Sequence, residues 1–286
     1  MSKLAIVFSG QGAQFAGMGK ELYETSSIAQ KVFDTCEKIR PGTINQCLTA
    51  SKEELSFTVN TQPCVFAVSM AAAETLKQKG TEFSFAAGFS VGEIPALTFA
   101  GVFSLADGFK AVCKRAEFMH AAAQKNPGAM AVVLKLSAEK TEELCKEAGI
   151  YAVNYNCPGQ TVAAGRQDGI KKLTELAMKE GGRVLPLAVS GAFHSPYMDV
   201  AASEFKKYLQ TIPIKAPVLP VYANTTGLPY VSESIKETLS AQINHPVRWQ
   251  QTIENMLQEG VTDFSETGPG NVLTGLISKT REYKIR

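Results

Sequence analysis

The pattern of this sequence predicts an α/β chain built on a parallel sheet, with a compact βαββαβ unit set into its middle. Three observations carry that expectation. Short apolar runs alternate with stretches at helical spacing over residues 1–126 and again over 190–286, as a parallel sheet with crossover helices requires. Between them the rhythm shortens to strand, helix, strand, turn, strand, helix, strand, which is the ferredoxin-like order. A length of 286 residues, 45% of them hydrophobic and 20% charged, supports one large domain with a smaller one inserted, and excludes global disorder or a fibrous repeat.

Residues 4–8, Leu-Ala-Ile-Val-Phe, form a strand that enters the loop Gly10-Gln11-Gly12-Ala13-Gln14. The loop is not a phosphate cradle. A dinucleotide fingerprint needs a third glycine where Phe15 stands, and a P-loop needs Lys-Ser/Thr where Met18-Gly19 stands. Its backbone N–H groups remain free to face something anionic. A helix over 18–39 carries Leu22, Ile28, Val32 and Phe33 on one side, and a second runs over 63–79, with Pro63 in its first turn and Gly80 as its stop. A buried-type strand over 83–87 runs into Gly88-Phe89-Ser90-Val91-Gly92 and a helix beginning near Val91. The helix over 104–123 takes Ser104 as its N-cap and puts Phe109, Val112, Ala116 and Met119 on its apolar side.

Asn126-Pro127-Gly128 marks the entrance to the middle unit and Ser190-Gly191 its exit. Strands are expected at 129–136, 151–156, 161–164 and 183–188, helices at 138–148 and 168–180, with Pro158-Gly159 as a turn. The expected division is therefore 1–126 with 190–286 as a discontinuous large domain and 127–189 as a ferredoxin-like subdomain. Helices over 196–210, 234–243, 249–259 and 271–279 then alternate with strands at 218–222 and 262–266.

Composition excludes several partner classes. Lys+Arg 29 against Asp+Glu 27 leaves +2, and the scattered basic residues form no nucleic-acid motif or polybasic membrane patch. Cys36, Cys47, Cys64, Cys113, Cys145 and Cys157 never reach CxxC spacing and have no histidine cluster beside them, so they read as small buried or half-buried thiols in a reducing compartment, with no metal. The first apolar run is too short for a signal-peptide core, and the longer uncharged stretches are broken by Asn, Thr, Gln and Pro. A cytoplasmic protein with no membrane partner is expected.

Gly88-Phe89-Ser90-Val91-Gly92 fits the G-x-S-x-G nucleophile elbow, with a strand before it and a helix after it. The bend leaves no room for side chains at the two glycines, and the helix start points free N–H groups where an oxyanion would form. The plainer alternative is a capping serine in a glycine-rich turn. A serine nucleophile needs a base, and the chain holds 3 histidines. His120 lies in a charged helix, and His245 precedes Pro246 and is placed to cap the helix before it. His194, in Ser190-Gly191-Ala192-Phe193-His194-Ser195-Pro196, occupies an uncharged loop after a strand and is the candidate base.

These residues, taken in order, resemble the malonyl-CoA:acyl-carrier-protein transacylase family. The resemblance rests on Gly10-Gln11-Gly12-Ala13-Gln14, the Gly88–Gly92 elbow followed by Glu93, Arg115, Asn154-Tyr155-Asn156-Cys157-Pro158-Gly159-Gln160, Ala192-Phe193-His194-Ser195, His245-Pro246-Val247-Arg248-Trp249 and Glu266-Thr267-Gly268-Pro269-Gly270. It covers essentially the whole chain. It implies an α/β-hydrolase-like large domain with an inserted ferredoxin-like subdomain, and a ping-pong transfer. Ser90 would attack malonyl-CoA with His194 as base, and the backbone N–H groups of Gln11 and Val91 would hold the oxyanion.

The phosphopantetheine thiol of an acyl carrier protein would then take the malonyl group, with no bound cofactor. Arg115 would grip the malonyl carboxylate through two parallel hydrogen bonds, with Met119 on the same helix face and Phe193 and Asn156 lining the pocket. Phe193 would leave little room for a 2-methyl branch. A backbone carbonyl around Arg248 would orient the histidine. The chain departs from the family at Phe89, where many relatives carry His. Competing readings are a serine hydrolase acting on acyl thioesters, a trans-acting polyketide-synthase acyltransferase and a non-catalytic carrier-docking subunit.

Overall fold

The computed structural model describes residues 3–189 and 191–284; Ser190, the expected exit from the middle unit, lies outside the described residues, as do the outermost residues of the expected large domain. In chain order the elements begin β1 (Lys3–Phe8), α1 (Lys20–Thr25), α2 (Ser27–Ile39), α3 (Thr43–Thr49), α4 (Thr58–Gln78), β2 (Phe85–Gly88), α5 (Glu93–Phe99) and α6 (Leu105–Lys125). The middle contributes β3 (Ala129–Leu134), α7 (Ala138–Ala148), β4 (Tyr151–Cys157), β5 (Gln160–Gly165), α8 (Gln167–Lys179) and β6 (Arg183–Pro186). The chain closes with α9 (Asp199–Gln210), β7 (Val221–Tyr222), α10 (Ile235–Ala241), α11 (Trp249–Gln258), β8 (Val261–Thr267) and α12 (Val272–Lys284).

Two sheets organise these elements. The first, in the order β7-β2-β1-β8, is parallel throughout, with Ala5 beside Phe85 and Ala86 beside Val221. Both of its faces are buried. Ile6, Phe8 and Ala86 pack into the core with α4 and α6, while Ala5, Val7, Phe85 and Ala87 pack against Trp249, Ile253 and Leu276 of α11 and α12. The second sheet runs β4-β5-β3-β6, antiparallel, which is the ferredoxin-like strand order.

Alternation splits the second sheet into two faces. Ala131, Val133 and Ala163 meet Leu144 of α7 and Leu173 of α8, while Met130, Val162 and Ala164 join the core of the first sheet. Strand β4 is also tied by hydrogen bonds to the loop before α11. Val247 N–H donates to Val153 O at 2.8 Å and Tyr155 N–H donates to Val247 O at 2.9 Å.

Several expectations shift in detail. The helix expected over 18–39 is two helices, because Ser26 adopts an extended backbone and accepts from Ala29 N–H as the cap of α2. Helix α4 starts five residues before Pro63, which therefore lies inside it. Proline has no N–H for Val59 O four residues back, and Arg40 Nη2 donates to that carbonyl at 3.4 Å in its place. The strand expected at 83–87 is β2, displaced toward the elbow, and the one at 218–222 shortens to Val221–Tyr222. All six cysteines are free, five of them buried. No described helix is long and apolar enough to cross a membrane.

Candidate active site

The elbow sits at the carboxyl end of β2. A Cβ on Gly88 would lie 1.8 Å from Gly92 O, and one on Gly92 would lie 2.2 Å from Phe8 O, so neither position accepts a side chain. Ser90 itself takes φ 53, in the left-handed region. Asn224, just past β7, holds the bend on both sides: its Nδ2 donates to Gly88 O at 2.6 Å and its Oδ1 accepts from Ser90 N–H at 2.7 Å. The N–H groups of Val91 and Gln11 have no protein partner among the described residues.

Ser90 Oγ lies 2.7 Å from His194 Nε2, and His194 Nδ1 lies 2.8 Å from Gln242 O. A carbonyl only accepts, so Nδ1 carries the proton and Nε2 is left to accept from the serine hydroxyl. His194 has φ 60 and is 3% exposed. Burial first, and the neighbouring Arg115 guanidinium second, push its imidazole down to about 3, so it is neutral at ordinary pH. The orienting carbonyl belongs to Gln242 and not to Arg248. Gln242 closes α10, where the last helical carbonyls lack intrahelical partners. Arg248 instead is exposed at the join between the sheets, where its Nε donates to Thr225 O and its guanidinium lies 5.8 Å from the centre of the Tyr155 ring.

Arg115, on α6, is fully buried. Its Nη1 donates to Gln62 Oε1 at 2.8 Å, and its Nη2 to Gln242 Oε1 at 2.7 Å and Ser90 Oγ at 3.3 Å, while its Nε has no partner among the described residues. A buried guanidinium with one idle donor beside a serine hydroxyl has the chemistry to receive an anionic group. Behind it lies Glu93, also fully buried, whose Oε1 accepts from Tyr230 OH and from Asn224 N–H and whose Oε2 accepts from Gln242 Nε2 at 2.8 Å. Burial pushes Glu93 up to about 7 against the pull of those donors.

A cavity of about 70 Å³ opens on Ser90 and His194 and is lined by Gln11, Gln62, Phe89, Met119, Met130 and Phe193 among others. Met119 accepts from Gln62 Nε2 through its sulfur at 3.5 Å. A second cavity, of about 220 Å³, shares Gln11, Phe89, Asn154 and Leu187 with the first. Asn156 lines the second and not the first. Buried Asn154 and Asn156 each keep an unpartnered Oδ1. Phe89 packs edge-on against Trp249 at 5.5 Å and walls both cavities. His245 caps α10 through Ala241 O. Gln62, Asn224, Tyr230 and the side chain of Gln242 escaped the sequence reading, since a neutral polar residue carries no mark of burial; Glu93, next to the elbow, was the one available signal.

Residues 5–284 match the model of the acyl transferase domain family. Malonyl CoA-acyl carrier protein transacylase of Bacillus subtilis strain 168 is 40% identical over 98% of this chain and 90% of its own length. The polyketide-biosynthesis malonyl CoA-acyl carrier protein transacylase of the same organism is 37% identical over 98% and 97%. Among solved structures, a malonyl-transacylase in complex with its type II polyketide-synthase acyl-carrier protein superposes with a TM-score of 0.94 at 33% identity, covering 98% of this chain and 94% of that one. With a buried serine, histidine and arginine meeting at the elbow and this likeness along its length, the chain belongs to the malonyl-CoA:acyl-carrier-protein transacylase family.

Proposed function

We propose that this protein transfers the malonyl group of malonyl-CoA to the phosphopantetheine thiol of an acyl carrier protein, through a malonyl ester on Ser90, for fatty-acid or polyketide chain extension. The observation that carries the reading is the position of Ser90 Oγ, 2.7 Å from His194 Nε2 and 3.3 Å from Arg115 Nη2. One hydroxyl thus faces both a base and a receptor for a carboxylate.

In the first half-reaction Ser90 Oγ attacks the thioester carbonyl while its proton passes to His194 Nε2. The oxyanion is held by the free N–H groups of Val91 and Gln11; Ser90 N–H is already committed to Asn224. Collapse expels the CoA thiolate, which takes the proton from His194. In the second half-reaction the carrier thiol gives its proton to His194 and attacks the ester carbonyl, and collapse releases Ser90 Oγ, which recovers that proton from His194. The malonyl carboxylate pairs with the idle Nε of Arg115 and replaces Ser90 Oγ on its Nη2, and Phe193, Met119 and Met130 line the cavity beside Ser90. Pairing Arg115 with the carboxylate offsets the smaller of the two causes that depress His194. CoA and phosphopantetheine enter as parts of the substrates.

Intact-mass measurement after mixing with malonyl-CoA tests the reading. A malonyl adduct that persists in water, is cleared by a holo-carrier protein and is absent in Ser90→Ala supports transfer. Steady release of malonate with no persistent adduct would make the protein a hydrolase, and an adduct on another residue would overturn the assignment of Ser90.

A further inference from the structure

Gln242 touches more of the site than any other side chain. Its backbone carbonyl orients His194, its Oε1 accepts from Arg115 Nη2 at 2.7 Å, and its Nε2 donates to Ser90 O at 2.6 Å and to Glu93 Oε2 at 2.8 Å. The amide has one workable orientation. Turned over, its NH2 would face the guanidinium and its oxygen would face a carbonyl and a carboxylate.

The Ser90 carbonyl and Glu93 fix that choice together, and Glu93 supplies the charge. Both of its oxygens face donors only (Tyr230 OH, Asn224 N–H and Gln242 Nε2), an arrangement that suits the ionised carboxylate, and it lies within no direct ion pair. The amide therefore links the buried cation to the buried anion: guanidinium to amide oxygen, amide N–H to carboxylate. Arg115 has two neutral anchors, Gln62 and Gln242, and the second is held in place from behind by Glu93.

We propose that Glu93 is a positioning residue for substrate choice: through the Gln242 amide its carboxylate aims the Arg115 fork at the acyl pocket and so sets the preference for malonyl over acetyl. The proposal rests on the malonyl-transfer reading above. Replacing the carboxylate by an amide places a donor among three donors and leaves Gln242 held by the Ser90 carbonyl without its charged partner, which loosens the Gln242 anchor of Arg115. An acyl group without a carboxylate makes no use of the fork and is less affected.

The titratable groups facing Glu93 are Arg115 from α6 and Tyr230 from the segment after β7. Burial lowers Arg115 to about 10 and raises Tyr230, so near neutral pH Glu93 alone of the three changes charge.

The test measures acylation of Ser90 from malonyl-CoA and from acetyl-CoA across pH, in wild type, Glu93→Gln and Tyr230→Phe. In the wild type the malonyl-to-acetyl ratio of kcat/KM falls as pH drops through about 7. Glu93→Gln lowers the ratio at pH 8 by about tenfold or more, chiefly through KM for malonyl-CoA, and removes its pH dependence. Tyr230→Phe keeps the side-chain volume, withdraws one donor from the carboxylate and moves the fall to higher pH. Proportional loss of both substrates, or a ratio within twofold of wild type in both variants, overturns the proposal. If Glu93→Gln fails to fold, the wild-type profile and Tyr230→Phe decide. A wild type that forms no malonyl adduct overturns the transfer reading and this one with it, whereas an adduct with an unmoved ratio overturns this one alone.

Discussion

The two sheets of this molecule spend their buried volume differently. The helix-covered face of the antiparallel sheet is apolar, with Ala131, Val133 and Ala163 against Leu144 and Leu173, and its charges pair at the surface, as in Lys140–Glu143 and Arg166–Asp168. Such exposed pairs add little to stability. At the carboxyl ends of the parallel sheet, by contrast, Ser90, Glu93, Arg115, His194, Asn224 and Gln242 are all buried. Backbone strain is divided the same way. Lys135, the left-handed non-glycine residue of the antiparallel region, lies in an exposed turn, whereas Ser90 and His194 are buried, hydrogen-bonded to one another and both left-handed. Regular alternation holds shape in one region, while the other accepts desolvated charge and strained backbone because its reactive groups must meet in a dry pocket.

Arg115→Lys presses on that difference hardest. An ammonium cannot reproduce a fork that meets Gln62, Gln242 and Ser90 together and is proposed to take a carboxylate as well. Acylation by malonyl-CoA is expected to fall by about a hundredfold, with acetyl-CoA reduced by less than about fivefold, in rapid-quench assays. Equal losses would mean that the guanidinium supports the pocket without binding the carboxylate.

Stability against pH is the next largest contrast. His194 falls from 6.5 to about 3 on folding, so the unfolded chain binds its proton first and stability drops as pH falls through that window. Glu93 rises from 4.5 to about 7, so the folded chain holds its proton longer and stability drops as pH climbs through that window. The two slopes oppose each other between about pH 4.5 and 6.5 and keep the wild type nearly level there. His194→Gln removes the acid-side loss, so urea midpoints in that variant should decline steadily from pH 4.5 to 7. A flat profile in the variant would show that Glu93 is not perturbed by folding.

The same contrast explains what the sequence disclosed. In the antiparallel region, period-two alternation and short turns lead to α7 at 138–148 and to strands within a few residues of those observed, because local pattern and tertiary environment agree there. The elbow was legible because two glycines bracket a serine at a strand end, and His194 because the chain offers so few histidines. The nest behind them was not. Gln62, Asn224, Tyr230 and Gln242 are far from the elbow in sequence and are neutral residues that look the same at a surface; only Glu93, beside the elbow, left a mark. The orienting carbonyl fell at Gln242 because any residue can present one, so side-chain pattern carries no trace of it. Ser26 split a helix for a similar reason: a cap is one hydroxyl inside an otherwise continuous helical pattern.

Strand β3 allows the smallest and sharpest test, since the two regions meet across its thickness. Met130 faces the pocket that holds Ser90 and Phe193, while Val133 faces the core beneath α7 and α8. Met130→Ala opens space opposite the acyl group, and should raise the methylmalonyl-to-malonyl ratio of acylation by about three- to tenfold with a modest change in stability. Val133→Ala should cost about 2 kcal/mol in urea unfolding through the cavity it leaves, with the acyl ratio unchanged within twofold. Three residues apart on one strand, the two positions differ only in which side of the sheet they serve. If Val133→Ala shifts selectivity as far as Met130→Ala does, the apolar face is mechanically part of the active site and the division between a shape-holding region and a reacting one fails.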